Sequence, residues 1–373
     1  MSGARIFVMV VKVHWSYISR HAPGIRHFIG VWRIRISRAT VPGTIAAVLF
    51  AVTAFLLLRA ESALPHKIES AADASRDRAV HVVAAWPYVR FEVVHNVLPQ
   101  GLVGVSLSLY RNGVFASGGY NGLQSVSDVR QIFPRQRLLA RLPAPTHDAA
   151  SGWIGPELYV FGGGQAASYN TIVQIRPPRT VVVGQLPSAL SDAGMVPYAG
   201  GALLIGGHNG NTFSTETFLY TRKVSTLRAK GLFRLPVGLR YAGVALQGDR
   251  LWITGGRTAT GMSREIYYVA PGSKQAKAVG RLPLAIDKAA AWAVPGYVLI
   301  AGGQTLQGVP QRKIYAFNTL TRQIRVVGIL PTPLADMGYA AGSRGVYLAG
   351  GATAANLSAL SRNLVIIYTT WFR

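Results

Sequence analysis

A chain of 373 residues with 50% hydrophobic residues can bury a large core, and its lack of cysteine excludes disulfides, thiolate metal sites and cysteine nucleophiles. Lys and Arg total 39 against 14 Asp and Glu, a net charge of +25. The basic residues are scattered and accompany no recognition helix, zinc-ligand spacing or aromatic stacking motif, so nucleic acid is not an expected partner.

In chain order, residues 1–40 form a basic N-terminal segment with seven Arg and Lys and no acid. Within it, Ile6 to Trp15 is apolar but short and is broken by Lys12, which suits either an interfacial segment or no fixed structure. Residues 41–58 (VPGTIAAVLFAVTAFLLL) carry no charge, and 18 helical residues span roughly 27 Å, near the thickness of a bilayer core. The excess of Arg before this run predicts a single transmembrane helix with a cytoplasmic N-terminus and everything after it outside the cell membrane. A cleaved signal peptide ending near Ala60-Glu61-Ser62 is the alternative, although a 40-residue leader before the apolar run favours a retained signal anchor. Residues 59–84 are rich in Ala, Ser and mixed charge and read as a stalk. Beyond residue 58 the charge is still +18, because all 14 acids and 32 of the basic residues lie there.

Residues 85–373 are governed by a repeat. Leu-Pro pairs occur at 98–99, 142–143, 186–187, 235–236, 282–283 and 330–331, with one more in the stalk. Glycine doublets occur at 118–119, 162–163, 206–207, 255–256, 302–303 and 350–351, each starting 20 residues after its Leu. The period varies from 44 to 49, and all of that variation falls between a doublet and the next Leu-Pro. Each unit predicts four strands. Small residues at the seventh and eighth positions after the Leu, such as Ala149-Ala150 and Ala193-Gly194, mark a crowded innermost strand. An apolar run ending in the doublet (LYVFGG, ALLIGG, LWITGG) marks a second strand buried on both faces. A third carries an aromatic (Tyr220, Tyr267, Tyr315, Tyr368), and a fourth leads to the next Leu-Pro. The last unit stops after its third strand, while an unpaired strand-like run, Tyr88 to Val97, precedes the first Leu-Pro. If that run completes the last sheet, six four-stranded blades close with no open edge.

A repeat of this length, with a glycine doublet ending its second strand and a tyrosine in its third, resembles the kelch motif. The resemblance covers residues 88–373 and implies an all-β, six-bladed kelch-type β-propeller, monomeric, in which an N-terminal strand closes the last blade. It departs from the family in lacking the tryptophan that follows the tyrosine; Trp153, Trp252 and Trp292 fall on the first two strands instead. The family comprises ligand- and protein-binding platforms and also enzymes, among them galactose oxidases and sialic-acid epimerases. A galactose oxidase needs a cysteine-crosslinked tyrosine, which this chain cannot supply.

The resemblance further implies that the loops between fourth and first strands, and between second and third, share one face. The first set brings there the sixth residue after each Leu: Gly104, Asp148, Asp192, Tyr241, Lys288 and Asp336. The position before it holds Val103, His147, Ser191, Arg240, Asp287 and Ala335, and the second set adds His208 and Arg257. These residues can form a polar ring at the channel mouth that binds a carbohydrate or protein ligand. Each Asp can equally cap backbone N–H groups at the start of an inner strand. His147 and His208 lack metal-ligand spacing, so no metal and no cofactor is expected. The residues predict a non-enzymatic binding or scaffold module for a glycan, peptide or envelope protein. The alternative is a carbohydrate-active enzyme, such as a sugar epimerase or lyase, with acid–base groups at the mouth.

Overall fold

The structure, a computed structural model, describes the backbone of residues 7–19 and 28–40, and residues 85–371 apart from 225. The chain divides into two compact units, Met1–Val83 and Ala84–Arg373. In the first, Phe7–Ser19 and Phe28–Thr40 pair antiparallel, from Phe7 opposite Thr40 to Ser19 opposite Phe28. The stretch expected to be interfacial or unstructured is therefore largely strand. The predicted anchor at 41–58 and the stalk at 59–84 lie outside the described residues. Among those described, no helix is long and apolar enough to cross a membrane.

The second unit is a six-bladed β-propeller. Its described residues form six four-stranded antiparallel sheets, each ordered from the axis outward as the repeat predicts. Blade 2 is representative, with strands Ala150–Ile154, Glu157–Phe161, Thr171–Arg176 and Arg179–Gln185. The innermost strands pack against one another in a closed circle. Small residues are required there: a Cβ added at Gly194 in blade 3 would lie 2.4 Å from Val244 Cγ2 in blade 4. Second strands are largely buried, and entirely so in Gly113–Ser117 and Gly201–Ile205. Their side chains interleave with those of neighbouring blades in clusters such as Phe161 and Tyr220 with Leu186 and Leu204.

The glycine doublet is the seam between blades. In every repeat the second glycine donates its N–H to the carbonyl of the fourth residue after the next repeat's Leu, as Gly163 does to Leu190 at 2.8 Å and Gly303 to Leu334 at 2.9 Å. The first glycine lies against the same carbonyl. At Gly302 (φ +67°) a Cβ would stand 2.3 Å from Leu334 O, so both the left-handed backbone and the close approach demand glycine. The constant 20-residue spacing keeps each repeat's own carbonyl and its own doublet a fixed distance apart, so that every unit offers its two neighbours the same two halves of the seam.

Closure takes the predicted route. Tyr88–Val94 pairs with Leu364–Thr370, from Val94 opposite Leu364 to Tyr88 opposite Thr370, and supplies the outer strand of blade 6. Tyr368 Oη donates to Glu92 at 2.8 Å across this pairing. The two ends of the propeller are thereby joined without a disulfide.

Candidate functional site at the axial mouth

The six residues at the sixth position after Leu adopt left-handed backbone: Gly104, Asp148, Asp192, Tyr241, Lys288 and Asp336 all have φ between +55° and +61°. Their backbones form a hydrogen-bonded circle. Asp148 donates to the Gly104 carbonyl, Asp192 to Asp148, Tyr241 to Asp192, Lys288 to Tyr241, Asp336 to Lys288 and Gly104 to Asp336, at 2.8 to 3.1 Å. Gly and Asp tolerate this conformation; Tyr and Lys adopt it at a greater steric cost. Their presence in blades 4 and 5 indicates that side-chain chemistry outweighs backbone preference at those two positions.

The column before this ring pairs with the residue after each glycine doublet: Val103 with Tyr120, His147 with Gly164, Ser191 with His208, Arg240 with Arg257, Asp287 with Gln304 and Ala335 with Ala352. Both predicted loop sets therefore share one face and are held together by backbone bonds.

Around the ring, five side chains converge on a well of about 120 Å³. Lys288 Nζ donates to Asp336 Oδ2 at 2.5 Å and lies 4.5 Å from the centre of the Tyr241 ring. Tyr241 Oη donates to Asp148 Oδ2 at 3.1 Å, and the charge of Asp192 beside it favours a proton on Asp148. Asp148, Asp192 and Asp336 are partnered by the side chains of Tyr241, Arg240 and Lys288, not by the backbone N–H groups that a capping role would engage. Gly104 completes the ring because Asp148 already fills its side-chain space: a Cβ there would lie 2.4 Å from Asp148 Oδ1.

Burial sets the electrostatics. It raises Asp148 to about 6, with the neighbouring Asp192 charge adding to the rise and Lys288 opposing it. Burial also raises Asp192 against the pull of Arg240, and Asp336 against that of Lys288. Burial alone would lower Lys288, but Asp336 and Asp148 outweigh it and hold the ammonium charged. Tyr241 is pushed well above its ordinary value by burial and then by Asp148 and Asp192, so its hydroxyl stays a donor.

A second, polar bay of about 240 Å³ opens beside the well over blades 2 and 3. His147, Ser168, Ser191, His208 and Arg240 line it together with Asp148, Asp192 and Tyr241. Arg240 Nη1 lies 3.4 Å from Asp192 Oδ2 and 3.3 Å from His208 Nδ1, and the guanidinium sits 4.6 Å from the centre of the Tyr241 ring. Burial and then Arg240 lower His208, so its Nδ1 accepts as neutral imidazole. His147 Nδ1 bonds Ser125 Oγ at 2.8 Å, and its Nε2 lies 3.8 Å from Asp148 Oδ2.

Of the predicted site residues, Asp148, Asp192, Tyr241, Lys288 and Asp336 meet in the well, and Arg240 and His208 meet in the bay. Asp287 and Arg257 line neither. They form an ion pair at 2.9 Å in which Asp287 is 0% exposed, and burial raises Asp287 against the opposing Arg257 charge. Sequence reasoning missed Ser125, Ser168 and above all Tyr339. From blade 6, Tyr339 Oη reaches past blade 5 to blade 4, accepts from Val244 N–H at 2.7 Å and donates to Val244 O at 3.2 Å. With Leu107, Ser151 and Met195, it lines both the well and an apolar chamber of about 200 Å³ beneath. Its only signal in the sequence is an aromatic in a column that otherwise holds Leu107, Ser151, Met195, Val244 and Ala291. Among the described residues, no three or more His, Asp or Glu side chains are placed to hold a metal ion.

No protein-family model and no curated protein matches the sequence. A solved structure of YjhT matches with a TM-score of 0.62 at 16% sequence identity, covering 74% of this chain and 99% of that one. At that identity the likeness establishes the fold, a six-bladed β-propeller.

Proposed function

We propose that this chain is a membrane-anchored, extracytoplasmic, kelch-like binding module whose axial mouth takes a hydroxyl-rich ligand of the glycan class. The observation that carries the reading is the joining of well and bay: Arg240, Tyr241, Asp148, Asp192 and His208 present donors and acceptors side by side on a rigid backbone ring. Such a mixture suits a ligand bearing several hydroxyls, each able to donate and accept, better than an apolar peptide anchor. A site made by six blades in fixed positions also needs little ordering on binding. The charge-free run at 41–58 and the basic residues before it support the anchored, outward-facing topology. Alkaline carbonate extraction tests the anchor, since release into the supernatant rejects it.

A glycan array read at two salt concentrations, followed by calorimetry, tests the binding reading. The expected result is salt-resistant binding to a small set of glycans, lost in Arg240→Ala and in Asp192→Ala. Salt-labile retention of every anionic glycan, unchanged in those variants, rejects it.

A second reading, a carbohydrate-active enzyme such as an epimerase or lyase, is favoured by one observation: a buried carboxyl, raised to about 6 by burial and a neighbouring carboxylate, that accepts from a phenol. Proton NMR of bound sugars in deuterated water tests it. Exchange or rearrangement abolished by Asp148→Asn supports the enzyme, and unaltered sugars reject it.

A further inference from the structure

The face opposite the mouth has a different chemistry. It is made by the turns between first and second strands and those between third and fourth, which the antiparallel registers place at the other end of every blade. Every blade contributes an exposed cation there, among them Arg111, Arg179, Lys223, Arg250, Arg322 and Arg344 in blades 1 to 6. The described turns hold two acids in return: Asp249, and Glu157, which is already paired with Arg222 at 3.1 Å. Two apolar side chains project from the same turns, Val224 at 87% and Leu320 at 88% exposed. On the loop face Arg240, Arg257 and Lys288 are instead paired with the carboxylates of Asp192, Asp287 and Asp336, and Arg264, Arg312 and Arg362 donate to backbone carbonyls.

The chain also joins the propeller on this face. Tyr88 opens the outer strand of blade 6 at the end where that strand meets Thr370, level with the turn of its partner strands at Gly342–Gly345. Just before it, Trp86 packs on Tyr297 at 5.1 Å and under Arg325 at 4.8 Å, in the corresponding end of blade 5.

We infer that the turn face of the propeller docks on an anionic phospholipid surface, and so points the mouth away from the bilayer. Charge complementarity selects this occupant. An anionic headgroup layer is broad and flat, and it rewards one cation per blade spread over a whole face, where a compact protein partner would engage a patch. Val224 and Leu320 are placed to enter the headgroup region as the cations meet phosphate. The inference concerns a different face from the ligand site, and it holds whether or not residues 41–58 span the membrane.

The absence of cysteine makes the test direct. Full-length protein carries a single engineered cysteine, Val224→Cys on the turn face or Leu123→Cys on the loop face, labelled with an environment-sensitive dye. It is combined with phosphatidylcholine vesicles with and without phosphatidylglycerol. The expected result is a blue shift at position 224 only with phosphatidylglycerol, reversed by high salt, and no shift at position 123. Adding Arg179→Gln and Lys223→Gln should lower the docked-to-free ratio by about fivefold per lost cation. Equal response at both positions overturns the inference, as does a shift at position 224 that ignores lipid charge. So does displacement of the dye signal by a soluble polyanion with no response to either vesicle, which would assign the face to a polymer. Carbonate extraction reports separately on the anchor, so the two readings can fail independently.

Discussion

The seam between blades can be tested with a single methyl group placed at two glycines of blade 5. Gly302 and Gly296 both have left-handed backbone, φ +67° and +80°. Alanine at either therefore meets the same backbone strain, about 1–2 kcal/mol, and the same gain from a less flexible unfolded chain, about 0.4–1 kcal/mol. They differ in what the methyl meets. At Gly296 nothing lies within 4 Å, whereas at Gly302 the carbonyl of Leu334 lies 2.3 Å away. That carbonyl accepts the N–H of Gly303, so relieving the clash must open the bond joining blades 5 and 6. Losing it and leaving a buried acceptor unsatisfied costs about 1–3 kcal/mol. Gly302→Ala should therefore destabilise the protein by about 2 kcal/mol more than Gly296→Ala, read from urea midpoints at equal slope. Midpoints agreeing to within about 0.5 kcal/mol would refute the seam as the reason for the doublet.

Three further outcomes are expected. Asp148 holds its proton to about 6 in the folded state against 3.8 ordinarily, so the fold binds more protons across that window and stability falls as pH rises through it, by something on the order of 3 kcal/mol. Asp148→Asn should therefore raise the thermal midpoint relative to the parent at about pH 7.5 and not at about pH 4, and the reverse order would contradict the buried-carboxyl account. Tyr339→Phe leaves the Val244 N–H without its partner and should lower stability by about 1–2 kcal/mol in denaturant titration, while an unchanged midpoint would mean that the phenol is not a brace. Removing residues 1–84 should leave a monomeric propeller in size-exclusion chromatography; removing residues 1–94 strips the outer strand of blade 6 and should give aggregate, because Leu364–Thr370 becomes an open edge.

The scaffold was legible because its constraints recur six times. The Leu-to-glycine spacing betrays the seam, and the strand-like run before the first Leu-Pro betrays the closing strand. The site was legible only by column. The repeat located Asp148, Asp192, Tyr241, Lys288 and Asp336 on one ring, since backbone geometry is copied with each blade. It could not tell that Asp287, one residue from Lys288, turns aside to pair with Arg257, because side-chain direction depends on neighbours outside the repeat. Tyr339 escaped for a related reason. Its partner Val244 lies two blades away and 95 positions earlier, and no local pattern links them.

The circle of six backbone hydrogen bonds has a consequence for how such a protein can change. Peptide groups fasten the corners of this ring, so the side chains at those six positions are tenants, not timbers. From blade to blade, glycine, aspartate, tyrosine and lysine all occupy the inner corner with the fastening intact, each in a left-handed turn and each where its neighbours leave room. The architecture thus separates what must be inherited unchanged from what is open to revision, with the revisable positions gathered where a visiting molecule would arrive.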